Sequence, residues 1–354
     1  MSRTIPAIVL GGTGYVAGEL LRLLAAHPNF KLAGILSDSQ PGQPVASAFQ
    51  HLAPLYPQEC FQSLAQIEAL VASEPSAAIF SAAPHGSAAA LIDRLLSAAE
   101  AAGRTPHVVD ISADFRYRSA AAYEQVYEHA HGAPGRIAGF CCAVPEHLAR
   151  APSAHVAHPG CFATAILLPV VPLLSCGLTS QELFVTGVTG STGSGRKPTD
   201  GTHHPARHSD LYAYANALSH RHTPEVVACA LAACGIEPRI AFVPHSGPFA
   251  RGIHVTVQAA LRTRAGSAEV LAALRNFYAG APFVRVSDSP PRVKEVAGSN
   301  YATLSAVSDG RTVAVFCVLD NLNKGAAGGA VQWMNRLYEL PETAGLTAAA
   351  AGWT

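Results

Sequence analysis

The sequence predicts an α/β protein in two parts. A doubly wound parallel sheet comes first, followed by an α+β domain on a mixed sheet. Three observations carry this reading. Short apolar runs alternate with helix-like segments as far as Arg150, and the first run ends in a glycine-rich turn, Gly11-Gly12-Thr13-Gly14. After Cys161 the alternation stops, and strand-like runs follow with few helices between them, which argues for mixed or antiparallel pairing. A chain of 354 residues, 49% of them hydrophobic, suits two such domains and excludes disorder throughout.

Ile5–Leu10 (IPAIVL) reads as the first strand. Gly18–Ala26 (GELLRLLAA) has apolar residues at helical spacing and is closed by Pro28. Lys31–Leu36, Ala77–Ala82 and His107–Ser112 are the next strands, with a helix over Ser87–Ala102. A boundary near Arg150–Ala157 gives a first domain of residues 1–157. Residues 158–319 form the second domain, and residues 320–354 return to the first. In the second domain an apolar helix follows Cys161, and Glu182–Val188 is a strand. A polar stretch runs from Thr189 to Glu225, before strands at Arg239–Val243, Gly252–Leu261, Phe283–Val286 and Thr312–Leu319. The last helix is Ala326–Leu340, and the Ala-rich tail Thr347–Thr354 is expected to fray.

Composition narrows the function. Basic and acidic residues balance at 24 each, so no electrostatic footprint points to nucleic acid or a membrane surface. The start, MSRTIPAIVLGG, lacks a secretory pattern. The most apolar stretch, Phe162–Leu174, is too short to span a bilayer and contains Pro169 and Pro172. A soluble, cytoplasmic protein is expected. The eight cysteines form no CxxC pair and fit no zinc spacing, so free thiols in a reducing compartment are expected. The only lysines are Lys31, Lys197, Lys294 and Lys324.

Two local patterns carry chemistry. The run from Gly11 to Gly18 (GGTGYVAG) joins the first strand to the first helix. Glycines there let the backbone turn tightly and approach a pyrophosphate seated on the helix amides. At the first βα turn of an alternating chain, this predicts a Rossmann-type nucleotide-binding domain. After the second strand, Ser37-Asp38-Ser39-Gln40 offers one carboxylate for a ribose 2′-hydroxyl, which favours NAD. It also offers two hydroxyls for a 2′-phosphate, with no Arg beside them, and a plain polar turn is open as well. In His158-Pro159-Gly160-Cys161-Phe162-Ala163-Thr164, Pro and Gly turn the chain so that Cys161 opens a helix. The helix dipole and free amides there favour a nucleophilic thiolate. The other seven cysteines read as core packing.

These motifs belong to a longer ordered set: Pro84-His85-Gly86, Asp110-Ile111-Ser112-Ala113-Asp114-Phe115-Arg116, Val144-Pro145-Glu146, Gly190–Arg196 (GSTGSGR), His220–Glu225 (HRHTPE), Pro248–Ile253 (PFARGI) and Asp320–Gly328 (DNLNKGAAG). In this order, and over nearly the whole chain, the set resembles the N-acetyl-gamma-glutamyl-phosphate reductases of the aspartate-semialdehyde-dehydrogenase-like superfamily. The resemblance implies NADPH-dependent reduction of N-acetyl-L-glutamyl 5-phosphate to the 5-semialdehyde through a thioester on Cys161, in arginine biosynthesis. It also implies a homodimer or homotetramer and no metal. The alternatives are the aminoadipyl-phosphate reductase of lysine biosynthesis, a nucleotide-sensing protein of the same fold, and a Cys-His hydrolase or acyltransferase.

The resemblance assigns the acid/base role to His220, with His222 as its understudy and Glu225 orienting the ring. His203, His204, His208, His220 and His222 crowd one polar stretch. A metal site was weighed there, but carboxylate partners are sparse. Arg suits phosphate oxygens, so Arg116 and Arg196 are the phosphate candidates, with Ser112 beside Arg116, and Arg251 is assigned to the substrate carboxylate. Cofactor contacts are expected from Gly11, Thr13, Gly14, Tyr15, Val16, Ser37, Ser39, Pro84, Gly193 and Asn321, with Lys324 supporting the turn that opens the last helix. Three departures stand out: Ala17 where a third glycine is common, Asp38 where Arg is usual, and Phe249-Ala250 where a larger aliphatic pair precedes Arg251. Asp38 makes NAD a candidate beside NADP.

Overall fold

The computed structural model describes residues 4–149, 153–214 and 218–353. The chain divides into two compact units. One runs to Cys142, resumes up to His158 and resumes again over Ala327–Thr347; the other takes Ala143–Ala149, Pro159–Ala326 and the chain from Ala348 onward. The boundary read near Arg150–Ala157 begins at residues 150–152, which lie outside the described residues.

The first unit holds six strands, β1 (Ile5–Leu10), β2 (Phe30–Ile35), β3 (Ala78–Ser81), β4 (His107–Asp110), β5 (Phe140–Cys142) and β6 (His155–Ala157). They form one sheet in the order β2-β1-β3-β4-β6-β5, with every neighbouring pair parallel. β3 is buried along its whole length, as helix-covered parallel sheets require. Ile8, Leu10, Ile79, Val108, Ile92 and Leu95 make its core with the helices Leu64–Ser73 and Ala88–Ala101. Gly328–Leu337, with Trp333 fully buried, packs on β4. The chain leaves β1 for β2 on one side and reaches β3 on the other, so the carboxyl ends of β1 and β3 flank the switch point where such sheets bind ligands. The strand read as reaching Ser112 stops at Asp110, because the Asp110 carboxylate accepts from Ser112 N at 3.1 Å and Ser112 Oγ at 2.6 Å, closing a turn.

The second unit holds β7 (Glu182–Thr189), β8 (Tyr212–Ala213), β9 (Arg239–Ser246), β10 (Ile253–Ala260), β11 (Val284–Val286), β12 (Ala302–Ser308) and β13 (Thr312–Leu319). Their order is β11-β12-β13-β10-β7-β9-β8; β7–β9 and β11–β12 are parallel and the remaining pairs antiparallel. The helix Cys161–Ser175 lies on β10 and β13, flanked by the helices His222–Cys234 and Ser267–Phe277. Every residue from Phe162 to Leu174 is buried, so its apolar surface has no single stripe. Pro172 cannot donate to the Leu168 carbonyl four residues earlier, and the Tyr278 hydroxyl donates to it instead, at 2.6 Å. On β7, Leu183 and Val185 face the helices, whereas Phe184 on the opposite face is 60% exposed.

The last segment departs from the sequence reading. The return to the first unit comes at Ala327 rather than at residue 320, because Asp320 to Ala326 is pinned within the second unit. Asn323–Ala327 is a π-helical turn, and the α-helix proper is Gly328–Leu337. Among the described residues, no helix is long and apolar enough to cross a membrane.

Candidate active site

In the first unit, the chain leaving β1 passes between neighbours too close for side chains. A Cβ on Gly11, whose φ is +77°, would lie 2.5 Å from the Ala82 carbonyl oxygen, and one on Gly12 would lie 2.7 Å from that of Leu36. The helix Tyr15–Ala25 then starts at Gly14, with no side-chain cap and no acidic residue in its first turn. Such an N-terminus suits a phosphate, so the cradle fits a dinucleotide. Thr13, Gly14, Tyr15 and Val16 are all at least partly exposed, and Pro84, just past β3, is exposed as well. The β2 loop presents its groups unequally. Ser37 is buried, and its Oγ accepts from Gln40 N at 3.2 Å and lies 3.4 Å from Ser39 Oγ. Asp38 and Ser39 are exposed.

The segment from Asp110 to Arg116 is a knot of internal bonds. The Ser112 hydroxyl donates to Asp110 and accepts from Asp114 N, and the Asp114 carboxylate accepts from Gly86 N, Ala89 N and the Tyr123 hydroxyl. Arg116 is 6% exposed; its Nε donates to the His158 carbonyl at 3.0 Å and its Nη2 to that of Ile111 at 2.7 Å. Its guanidinium therefore ties the ends of β4 and β6 together. Burial pushes the Asp110 carboxyl up to about 6, with the Asp114 charge adding and Ser112 opposing.

In the second unit, Cys161 is the first residue of its helix, after Gly160. The Glu225 carboxylate, fully buried in the first turn of the next helix, accepts from Gly160 N at 2.6 Å. On the other side, a Cβ on Gly325 would lie 2.8 Å from Cys161 Cβ and 3.1 Å from its Cα. The thiol-bearing residue is thus held from two sides.

The five histidines separate by environment. His203, His204 and His208 are exposed, whereas His220 and His222 are each 8% exposed. The His220 and His222 rings lie 4.8 Å apart and pack against Phe162, the residue after Cys161, at 6.1 and 6.5 Å. His220 Nδ1 accepts from His222 N at 3.2 Å, which leaves the proton of the neutral ring on Nε2. Burial, with the Arg221 charge adding, pushes His220 down to about 4, so the ring is neutral at pH 7. Among the described residues, no group of three or more His, Cys, Asp or Glu side chains is placed to hold a metal ion.

The remaining candidates differ in exposure. Arg196 is exposed, in the turn after Ser191–Ser194. Arg251 is 31% exposed, and its Nε donates to Asp320 at 3.0 Å. Asn321 joins two loops: its Oδ1 accepts from Gly252 N at 2.7 Å and its Nδ2 donates to Thr192 Oγ1 at 3.0 Å. Exposed Gly193 lies in the turn Asn321 holds. Sequence reasoning missed Tyr214, whose ring lies 5.8 Å from His220 and whose hydroxyl is held protonated by burial and then by the Cys161 charge. It also missed Asp320, which accepts from Arg251 Nε, Gly298 N, Leu322 N and Asn323 N. Tyr214 stands in a stretch with no periodicity, so no sequence signal marks it; Asp320 opens a motif already singled out.

Residues 6–147 match the family described as semialdehyde dehydrogenase, NAD binding domain, and residues 161–321 the semialdehyde dehydrogenase, dimerisation domain. The chain is 38% identical to an N-acetyl-gamma-glutamyl-phosphate reductase of Symbiobacterium thermophilum over 97% of both chains. It is 35% identical to one from Rhodopirellula baltica, over 98% of this chain and 99% of that one. Aspartate semialdehyde dehydrogenase II of Vibrio cholerae shares the fold, with a TM-score of 0.67 at 15% identity over 96% of this chain and 99% of that one. An aspartate semialdehyde dehydrogenase with NADP, from Candida albicans, does so with a TM-score of 0.63 at 15% identity over 95% and 98%.

Proposed function

Because the chain belongs to the N-acetyl-gamma-glutamyl-phosphate reductase family, we propose that it reduces N-acetyl-L-glutamyl 5-phosphate to N-acetyl-L-glutamate 5-semialdehyde in arginine biosynthesis. The observation that carries this reading is Cys161 at the start of a buried helix, with Glu225 and Gly325 fixing its backbone. The Cys161 thiolate attacks the acyl carbon and phosphate leaves, giving a thioester. When bound, the nicotinamide supplies a hydride to that carbon. The resulting tetrahedral oxyanion, stabilised by a hydrogen bond, re-forms the carbonyl as the C–S bond breaks, freeing the aldehyde and returning the Cys161 thiolate.

Neutral His220 presents Nε2–H as the donor to that oxygen, and His222 fixes the ring through the bond at Nδ1. Glu225 acts on the backbone before the nucleophile; that contact supports a clasp where the sequence reading had a ring-orienting carboxylate. Arg196 is the exposed cation suited to phosphate and Arg251, steadied by Asp320, the one suited to the substrate carboxylate. Arg116 and Ser112 serve by shaping the loop after β4, given their internal bonds. The turn from Gly11 to Val16 and Pro84 hold the dinucleotide. NADPH is the reductant we favour, and exposed Asp38 leaves a place for NADH. The partly apolar face of the second sheet, with Phe184 60% and Val307 45% exposed, is where a second copy joins in a homo-oligomer.

The test is the reverse reaction: N-acetylglutamate semialdehyde, phosphate and either NADP or NAD, following the reduced nicotinamide. Phosphate-dependent turnover is expected. No turnover with either cofactor refutes the reading, and turnover only with the one-carbon-longer aminoadipate semialdehyde moves the enzyme to the lysine-type substrate.

A further inference from the structure

We propose that the buried Lys324–Glu146 ion pair is a positioning device for the Cys161 thiol, acting through Gly325. Lys324 Nζ donates to Glu146 Oε1 at 2.6 Å, and both side chains are 0% exposed. Lys324 is one of four lysines in 354 residues. A buried pair of this kind is seldom more stable than apolar side chains of the same volume, because desolvation of both charges offsets their attraction. Stability therefore does not explain it, and its neighbours do.

Lys324 is the second residue of the π-helical turn Asn323–Ala327, a rare geometry that collects at functional sites. The next residue, Gly325, is the one that abuts Cys161. Gly325 N donates to the Asp320 carbonyl at 2.9 Å, which ties Gly325 back to the start of the segment, and the Lys324 ammonium fixes the residue just before it. Glu146 is anchored in turn. Its neighbour His147 bonds the Tyr278 hydroxyl at 2.9 Å, and that hydroxyl donates to Leu168 inside the Cys161 helix at 2.6 Å. The contacts close a ring: Cys161 helix, Tyr278, His147, Glu146, Lys324, Gly325, Cys161. Lys324 Nζ also sits 5.9 Å from the centre of the Phe283 ring, a further constraint on where the ammonium lies. A ring of this kind sets the Cys161 start relative to its own helix, and loosening one link lets the thiol drift.

This inference rests on the reading of Cys161 as nucleophile, so the test separates the two. Lys324→Met/Glu146→Leu replaces the pair with apolar side chains. The thermal midpoint is expected at or above that of the native protein, with kcat of the reverse reaction down by at least ~10-fold and KM for the semialdehyde within ~3-fold. The pH profile of Cys161 alkylation by iodoacetamide should move as well. A native midpoint with native kcat and an unmoved alkylation profile overturns the inference. If the double variant does not fold, Tyr278→Phe cuts the same ring more gently; it should lower kcat with KM kept, and native kcat there overturns the inference too. Full activity in Cys161→Ser would instead remove the underlying reading.

Discussion

Replacing Gly325 with Ala tests how closely the nucleophile is held. The added methyl would sit 2.8 Å from Cys161 Cβ, 3.1 Å from its Cα and 3.3 Å from Leu319 Cδ1. Carbon atoms rest at about 3.5–4.0 Å, so relief requires a displacement of roughly 0.7–1.2 Å between the turn and Cys161. A misplacement of about 1 Å typically lowers turnover about 100-fold, which is about 2.7 kcal/mol of activation free energy. The turn is helical, and Ala is about 0.5–1 kcal/mol better than Gly there, which partly offsets the strain in the folded state. The expected result is therefore a large loss of kcat with a small change in thermal midpoint. Both are measurable on one preparation by the reverse reaction and by calorimetry. A variant that keeps kcat within ~3-fold of native, with an intact midpoint, would show that the turn yields without moving the thiol.

Cys161→Ser should abolish turnover while dinucleotide binding survives, because Ser is a far weaker nucleophile without an activating base; near-native activity would sink the thioester route. Asp38→Arg should tighten NADP binding. A gain above ~10-fold means the native carboxylate opposed the 2′-phosphate, and a loss means the 2′ pocket lies at another loop. Burial pushes His147, His155 and His220 from 6.5 down to about 4. The unfolded chain therefore binds protons that the native chain refuses, so stability present above about pH 6.5 is lost as the pH falls toward 4. Asp110, raised to about 6, opposes this below pH 6, but it is one group against five, since burial also lowers His27 and His254. Urea unfolding should give a lower stability at pH 5 than at pH 7; equal values would mean that these rings are protonated in the native state.

Much of the fold was legible because periodicity was strong where layers cover both sides. β1 occupies Ile5–Leu10 and β13 Thr312–Leu319, as read. The first helix begins at Tyr15 rather than Gly18, since capping by Gly14 decides its start and apolar spacing does not. β12 was missed because ATLSAVS, mostly small and hydroxylated residues, has no apolar alternation, although it is buried from Ala302 to Ala306. The helix His222–Cys234 was missed because its first turn, HTPE, closes the polar run and the apolar VVACALAAC that follows shows no helical stripe. At the site, residue types were legible and partners were not. Arg116 has the right chemistry for phosphate, and its Nε and Nη2 reach two main-chain carbonyls. Which carbonyls lie within reach is set by strand order, and strand order is not a local property.

The same distinction separates the candidate nucleophile, proposed from seven residues, from its supports. A helix start after Pro-Gly is local, and it points to Cys161 without any tertiary knowledge. Its constraints come from distant parts of the chain: Glu225 on the Gly160 amide, Gly325 against the Cys161 Cα and Cβ, and Tyr278 on the Leu168 carbonyl. All three belong to the second unit, as does Cys161. Each acts on the backbone or Cβ. Glu225 on the Gly160 amide and Gly325 against the Cys161 Cβ therefore constrain where that residue stands, and neither constraint can be read from the residues next to it in sequence.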